Sequence, residues 1–247
     1  MKIAILGYGR MGKEVERVIR EEGSHEIVSI SFRNEKEELD LEGVRKSEVV
    51  IDFTSPKIVV ENIKKVVGVG KNMVVGTTGW YENLDKVKKM VEEAKIGFVF
   101  APNFSIGANI FFKIVEKSAQ YLSKFENFYD VFGFEIHHRG KKDSPSGTAL
   151  KIANLILKYF KNKKTIQSER LNRKIKPEEL HFVGIRGGRC PGLHQVIFDS
   201  SADEIVLSHL AHSREGFARG AILAAEFIQN KKGFYRFDDV LREILKI

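Results

Sequence analysis

The chain has 247 residues, enough for one large or two modest domains with a well-buried core. It carries 41 Lys and Arg against 33 Asp and Glu, a formal charge of +8, but mixed-sign runs such as KKMVEEAK put most of that charge on solvated helix faces, which disfavours a nucleic-acid partner. A single cysteine, Cys190, excludes an intrachain disulfide, and no apolar run reaches bilayer length, so the expectation is a cytoplasmic protein with no membrane partner.

KIAIL (2–6) is a continuous apolar run of buried-strand length. Met11, Val15, Val18 and Ile19 follow at helical spacing. EIVSIS (26–31) and EVVIDF (48–53) read as the second and third strands. Ser55 suits a helix cap and Pro56 the first residue of a helix with Val59, Val60, Ile63, Val66 and Val67 on one face. NMVVGTT (72–78) is a fourth strand ending in a loop. Leu84, Val87 and Val91 mark another helix, and GFVFA (97–101) is the fifth strand. Strand alternating with helix over short connections predicts a parallel sheet covered on both faces.

Near Gly107 the rhythm changes. Residues 108–123 read as a helix turning Ile110, Phe111, Ile114, Val115 and Leu122 to a core, and FYDVFGFEIHH (128–138) as a long strand. SPSGTALKIANLILKYF (144–160) is a turn and then a helix. The polar, basic, poorly periodic stretch 162–180 reads as a long exposed connection. HFVGIRGG, LHQVIFDS and EIVLSHLAH are three more strands, with a hairpin turn over 200–203 and antiparallel or mixed pairing. A last helix over 214–229 is expected to return to the first domain, which needs cover on both faces.

GYGRMG (7–12) fits G-x-G-x-x-G, a weak pattern alone, but here it follows a strand directly and opens a helix. Gly7 and Gly9 let backbone amides approach a pyrophosphate at a helix N-terminus, Gly12 permits close helix–strand packing, and Arg10 adds charge. The fold class is therefore α/β. A Rossmann-like dinucleotide-binding domain with a parallel sheet is expected over 1–107 and 214–247, and an α+β domain with a mixed or antiparallel sheet over 108–213. GTTG (76–79) and APNFS (101–105) follow the fourth and fifth strands, at the carboxyl ends where open parallel sheets bind ligands.

EIHHRGKKDSPSGTA (135–149) concentrates imidazole, ammonium and guanidinium groups beside a turn that opens a helix. His137 and His138 end a strand, so their side chains diverge to opposite sides. Lys141 sits in the following loop, and Ser146, Gly147 and Thr148 open the helix, where unpaired amides favour an anion. Taken singly, these are a structural histidine, a solvated loop and a helix cap. Together, after a dinucleotide-binding half, they suit an acidic small substrate that must also be protonated.

This stretch resembles the E-x-H-H-x-x-K-x-D-x-P-S-G-T motif of the 4-hydroxy-tetrahydrodipicolinate (dihydrodipicolinate) reductase family. GYGRMG, IDFTSP, VVGTTG, APNFSIGAN, HLAHSREGFARGA and GFYRFDDVL match it in order, so the resemblance covers nearly the whole chain. It implies His137 as proton donor or acceptor and Lys141 as proton donor. It implies that His138, Gly147 and Thr148 hold substrate carboxylates, and that Gly7, Tyr8, Gly9, Arg10, Met11, Gly12, Gly76, Thr77, Thr78, Ala101, Pro102, Asn103 and Phe104 line the cofactor. It also implies NADPH or NADH as cofactor, a small dicarboxylate substrate, no metal, a role in lysine and diaminopimelate biosynthesis, and a homotetramer assembled through the second domain.

One departure concerns the cofactor. Ser31, Phe32, Arg33 and Asn34 stand where many dinucleotide folds place an acid for the ribose hydroxyls. The guanidinium of Arg33 suits a 2′-phosphate instead, so NADPH is expected to serve at least as well as NADH. Cys190, in the RCPG stretch, is assigned no function. Two rival readings stand beside this one. Another amino-acid-pathway dehydrogenase would share the nucleotide half but not the H-H-x-x-K and S-G-T cluster, and a non-catalytic NADP-sensing regulator could keep the glycine loop without the proton donors.

Overall fold

The opening apolar run is β1 (Lys2–Leu6), with residues 3–6 wholly shielded from solvent. In the computed structural model, which describes residues 1–31 and 38–246, it pairs in parallel with β2 (Glu26–Ser31) on one side and β3 (Val49–Asp52) on the other. β4 (Asn72–Val75), β5 (Gly97–Phe100) and the late strand β11 (Gly233–Arg236) extend a parallel sheet ordered β11-β5-β4-β3-β1-β2. The period-2 alternation of side chains sends Ile3, Ile5, Val49 and Ile51 to one face and Ala4, Leu6, Val50 and Val75 to the other. Helices α1 (Arg10–Glu22), α7 (Glu215–Ile228) and α8 (Phe237–Leu245) cover the first face. Helices α2 (Leu41–Lys46), α3 (Val59–Gly68) and α4 (Leu84–Ala94) cover the second. The strand order reverses direction at β1 and β3, so the loops leaving these strands flank the crevice where such sheets bind ligands.

A second compact unit spans 107–213, and the first comprises 1–106 with 214–247. In the second, the mixed sheet runs β10-β9-β6-β8-β7, formed by β6 (Asp130–His137), β7 (Thr165–Gln167), β8 (Glu179–Arg186), β9 (Leu193–Asp199) and β10 (Glu204–Leu210). β6 is parallel to β8 and antiparallel to β9. Helices α5 (Ile106–Leu122) and α6 (Gly147–Tyr159) pack on one face through Phe111, Phe112, Val115, Ile152 and Ile156. The other face is apolar and open: Phe132, Ile185, Val206 and Leu210 are 39% to 48% exposed.

The structure corrects several expectations from the sequence. The third helix begins at Val59 rather than Pro56. Ser55 caps nothing with its side chain, and its carbonyl instead accepts from the amides of Ile58 and Val59 across a turn. In α5 the core residue is Phe112 rather than Ile114, which is 46% exposed. The basic stretch 162–180 is not simply exposed. It contributes β7, and Lys163 is only 6% exposed, with Nζ 2.6 Å from Asp130 Oδ1 and donating to the carbonyls of Pro177 and Glu179. Burying that ammonium is tolerable because three oxygens replace its water. Arg33 lies outside the described residues. No helix among the described residues is long and apolar enough to cross a membrane.

Candidate active site

In the first unit the glycine loop is held by close backbone approach. Gly7 has φ +86°, and a Cβ there would fall 2.4 Å from the Phe53 carbonyl oxygen. A Cβ at Gly12 would lie 2.0 Å from the carbonyl oxygen of Gly7. Helix α1 has Gly9 at its N-cap, no side-chain cap and no acid in its first turn. Its leading amides and positive dipole end therefore suit a diphosphate, and Arg10 is exposed beside them. Tyr8 donates to Glu16, with Lys13 over its ring. Met11 is half-buried.

The neighbouring strand ends are tied together by a residue that the sequence did not single out. Asp52, at the end of β3, is fully buried. Its carboxylate accepts from Thr54 N and Oγ1, Asn62 Nδ2 and Thr77 Oγ1, at 2.7 to 2.9 Å. Burial pushes its carboxyl above the usual range, against these bonds. Thr77 is thus turned inward, and Ala101 and Phe104 are buried too, so they can reach a ligand only through backbone atoms. Gly76, Thr78, Pro102 and Asn103 remain at least partly accessible. A side chain at Gly76 would strike the Phe53 ring at 2.0 Å. This cradle fits a nicotinamide dinucleotide: it offers backbone amides at a helix end and walls that glycine alone permits.

In the second unit, alternation along β6 puts Val131, Gly133, Glu135 and His137 on the buried face. A glutamate there is out of place unless paired. Its Oε1 accepts from Ser146 N and from Arg186 Nη2, both at 2.7 Å. Its Oε2 accepts from the Ser146 hydroxyl and lies 3.2 Å from His194 Nε2 and 3.3 Å from His137 Nδ1. Ser146 is also the N-cap of α6, its Oγ accepting from Ala149 N at 3.1 Å. One carboxylate therefore joins the end of β6 to the first turn of α6. Nearby, Lys141 Nζ donates to both oxygens of Asp143 at 2.8 and 3.0 Å, and the Gly147 amide also holds that carboxylate. His138 is half-buried, and its amide donates to the Cys190 carbonyl at 2.8 Å. Thr148 is half-buried and Gly147 exposed, and a Cβ at Gly147 would meet no protein atom.

Thus His137, Lys141, Gly147 and Thr148 cluster at the strand end and the start of α6. Sequence reasoning placed Ser146 at the helix start but gave no role to Glu135, Asp143, Arg186, Gly192 or His194. The buried-face position of Glu135 was legible. Arg186 and His194 were not, because only strand pairing sets them opposite His137 and Glu135.

Burial disfavours the Glu135 anion, but bonds from His194, Ser146 and Arg186 outweigh it and hold the carboxyl well below its usual range. Burial pushes the His137 imidazole down to about 4, against the attraction of Glu135 and with help from His194, Lys141 and Arg186. His137 is therefore neutral at pH 7. The unfolded chain takes up this proton near 6.5 and the folded chain only near 4, so stability is lost as pH falls between those values. The melting temperature is expected to drop over that interval, and to drop less in His137→Gln. Parallel curves for the two proteins would exclude His137 as a source of the acid sensitivity.

Comparison with known proteins places relatives along the whole chain. Residues 1–104 match the family described as dihydrodipicolinate reductase, N-terminus, and residues 107–241 match dihydrodipicolinate reductase, C-terminus. The chain is 37% identical over 246 residues to the 4-hydroxy-tetrahydrodipicolinate reductase of Christiangramia forsetii, covering 100% of both chains. It is 38% identical to the reductase of the same name from Archaeoglobus fulgidus, covering 98% of this chain and 100% of that protein. Among solved structures, a dipicolinate-bound dihydrodipicolinate reductase from Paenisporosarcina superposes with TM-score 0.79 at 25% identity, over 97% of this chain and 98% of that one. A diaminopimelate dehydrogenase from C. glutamicum shares the fold alone, with TM-score 0.52 at 13% identity.

Proposed function

Because the chain belongs to the dihydrodipicolinate reductase family, we infer that it reduces 4-hydroxy-tetrahydrodipicolinate to tetrahydrodipicolinate, in the synthesis of diaminopimelate and lysine. The observation that carries this reading is the joining of His137 to the N-terminus of α6 through Glu135 and Ser146, with Lys141 tied to the same helix start through Asp143. One cluster then both holds a dianion and moves protons.

A nicotinamide dinucleotide, held through its diphosphate at the glycine loop, would supply the hydride that C4 of the ring receives. The 4-hydroxyl leaves with a ring proton as water. The enamine left after hydride addition takes one proton, so a proton is consumed per turnover. Lys141 in the loop donates it, and neutral His137 at the end of β6 accepts and relays protons. His138, the Gly147 amide and Thr148 hold the two carboxylates and fix the ring for attack. The substrate carboxylate replaces Asp143 as partner of Lys141 and of the Gly147 amide. Residues 1–107 and 214–247 serve as the dinucleotide-binding domain, and 108–213 as the substrate domain. Both nucleotides are accepted, NADPH at least as well as NADH, because Ser31, Phe32, Arg33 and Asn34 stand where many dinucleotide folds place an acid, and the Arg33 guanidinium suits a 2′-phosphate. The open apolar face of the second sheet is where copies of the chain pack into a tetramer, since a monomer would leave that face wet.

The test is NAD(P)H oxidation with substrate made in situ from pyruvate and aspartate semialdehyde. Dipicolinate is expected to inhibit competitively. Pyridine-2-carboxylate should bind about 10- to 100-fold more weakly, having lost one set of charge-assisted hydrogen bonds worth about 1.5–3 kcal/mol. Absence of turnover with either nucleotide, or equal inhibition by the two acids, would overturn the reading.

A further inference from the structure

We propose that Glu135 is a positioning residue. Its buried carboxylate holds His137 with Nδ1–H turned inward, so that Nε2 faces the site past Gly192, and it clamps the first turn of α6 to the end of β6. The proposal rests on the function inferred above only for its kinetic arm.

The geometry leaves little choice of tautomer. His137 Nδ1 is buried, 3.3 Å from Glu135 Oε2, and no well-aligned hydrogen bond satisfies it. A bare lone pair there would face an anion, whereas an N–H is attracted to it. In neutral imidazole the proton therefore sits on Nδ1, leaving Nε2 as the acceptor. Nε2 points to the strand-connecting loop, where a Cβ on Gly192 would lie 2.8 Å from it and 3.3 Å from Cδ2. The ring cannot retreat, because Glu135 stands behind it. Glycine at 192 is thus the residue that leaves this nitrogen open, and this gives the RCPG stretch a role.

The other groups facing the imidazole fix the direction of the electrostatic effect. Arg186 from β8, His194 from β9 and Lys141 from the following loop all disfavour its protonation, and Glu135 alone favours it. Glu135 is itself anchored by Arg186 and by both donors of Ser146, so it cannot follow the proton. The same carboxylate keeps Ser146 at the N-cap, and with it the Gly147 and Thr148 amides. The cluster of Glu135, His137 and His194 also has the spacing of a cation site. The Arg186 guanidinium 2.7 Å from Oε1 already supplies the positive charge there.

The experiment uses the full-length protein labelled with 15N-histidine, His137→Gln identifying the His137 ring signals. At pH 7 the wild type is expected to show the neutral Nδ1–H tautomer, and Glu135→Gln a shift of population to Nε2–H. An Nε2–H tautomer in the wild type, or no change in the variant, overturns the proposal whatever the enzyme's substrate proves to be. In the kinetic arm, Glu135→Gln should lower kcat roughly 10- to 100-fold, leave the KM for NADPH within about twofold, and move the acid limb of the kcat profile to lower pH. Glu135→Asp should recover part of the rate. Where Glu135→Gln does not fold, Gly192→Ala decides, because it crowds Nε2 without touching the carboxylate. Its kcat should fall by a similar factor with the limb unmoved, and a normal kcat refutes the role. Activity lost to a chelator and restored by zinc would overturn the proposal in favour of a metal site.

Discussion

His137→Gln and Lys141→Ala are each expected to lower kcat by about 10²- to 10⁴-fold, the range for positioned acid–base groups. The nucleotide affinity should stay within about twofold, because both residues belong to the second unit and the glycine loop to the first. The two side chains differ in burial, and the roles proposed for them differ accordingly. His137 is 7% exposed, and burial holds it neutral, so at rest one of its ring nitrogens is free to accept a proton. Lys141 lies in the loop with Nζ 2.8 Å from Asp143 Oδ1, and the proposed reaction uses it as the proton donor. If they act as one relay, the double variant should cost little more than the worse single variant. Fully additive losses would mean two independent steps, and near-normal turnover in both single variants would remove the assignment. The measurement is steady-state turnover together with nucleotide titration of each purified variant.

The second large effect is expected at Gly12. An alanine there puts Cβ 2.0 Å from the Gly7 carbonyl oxygen, a backbone atom that cannot rotate away. Gly7 is itself pinned, with its amide donating to Ser31 at 2.9 Å and its Cα against the Phe53 carbonyl. Relief must come from moving α1 off β1, which shifts the amides meant for the diphosphate. Overpacking of this kind costs about 1–3 kcal/mol, so NADPH binding should weaken by about 10- to 100-fold. Dipicolinate binding, measured alone, should be unchanged. Gly9→Ala is the control, since a Cβ at Gly9 meets nothing within 4 Å. Equal affinity in the wild type and Gly12→Ala would mean that the helix–strand contact does not set the nucleotide site.

How far the sequence reaches can be read from particular residues. Where a signal is local and periodic, it sufficed. The largely apolar runs 2–6, 48–53 and 97–101 became buried parallel strands, because a strand covered on both faces is apolar at most positions, and the buried Asp52 is tolerated by the hydrogen bonds it accepts. GYGRMG fell between strand and helix, and the histidines, Lys141 and S-G-T fell on a strand end, a loop and a helix start. Where a signal is weak or non-local, it did not suffice. β11 has only 4 residues, beginning with a glycine and ending with an arginine, and becomes a strand by pairing with β5. Lys163 reads as one more surface charge until Asp130 and two carbonyls gather around it.

The sequence by itself therefore determined the alternating half, the glycine loop between strand and helix, and the gathering of His137, Lys141, Gly147 and Thr148 at a strand end and a helix start. Each depends on residues within one turn or one strand of each other. Only the tertiary structure decided how those groups are tuned. Register across β6, β8 and β9 sets Arg186 and His194 beside Glu135, and packing buries His137 enough to hold it neutral. It also draws Thr54, Asn62 and Thr77 onto Asp52. The physical reason is that burial and charge coupling are sums over neighbours distant in the chain. No stretch of sequence carries such a sum until the strands have paired.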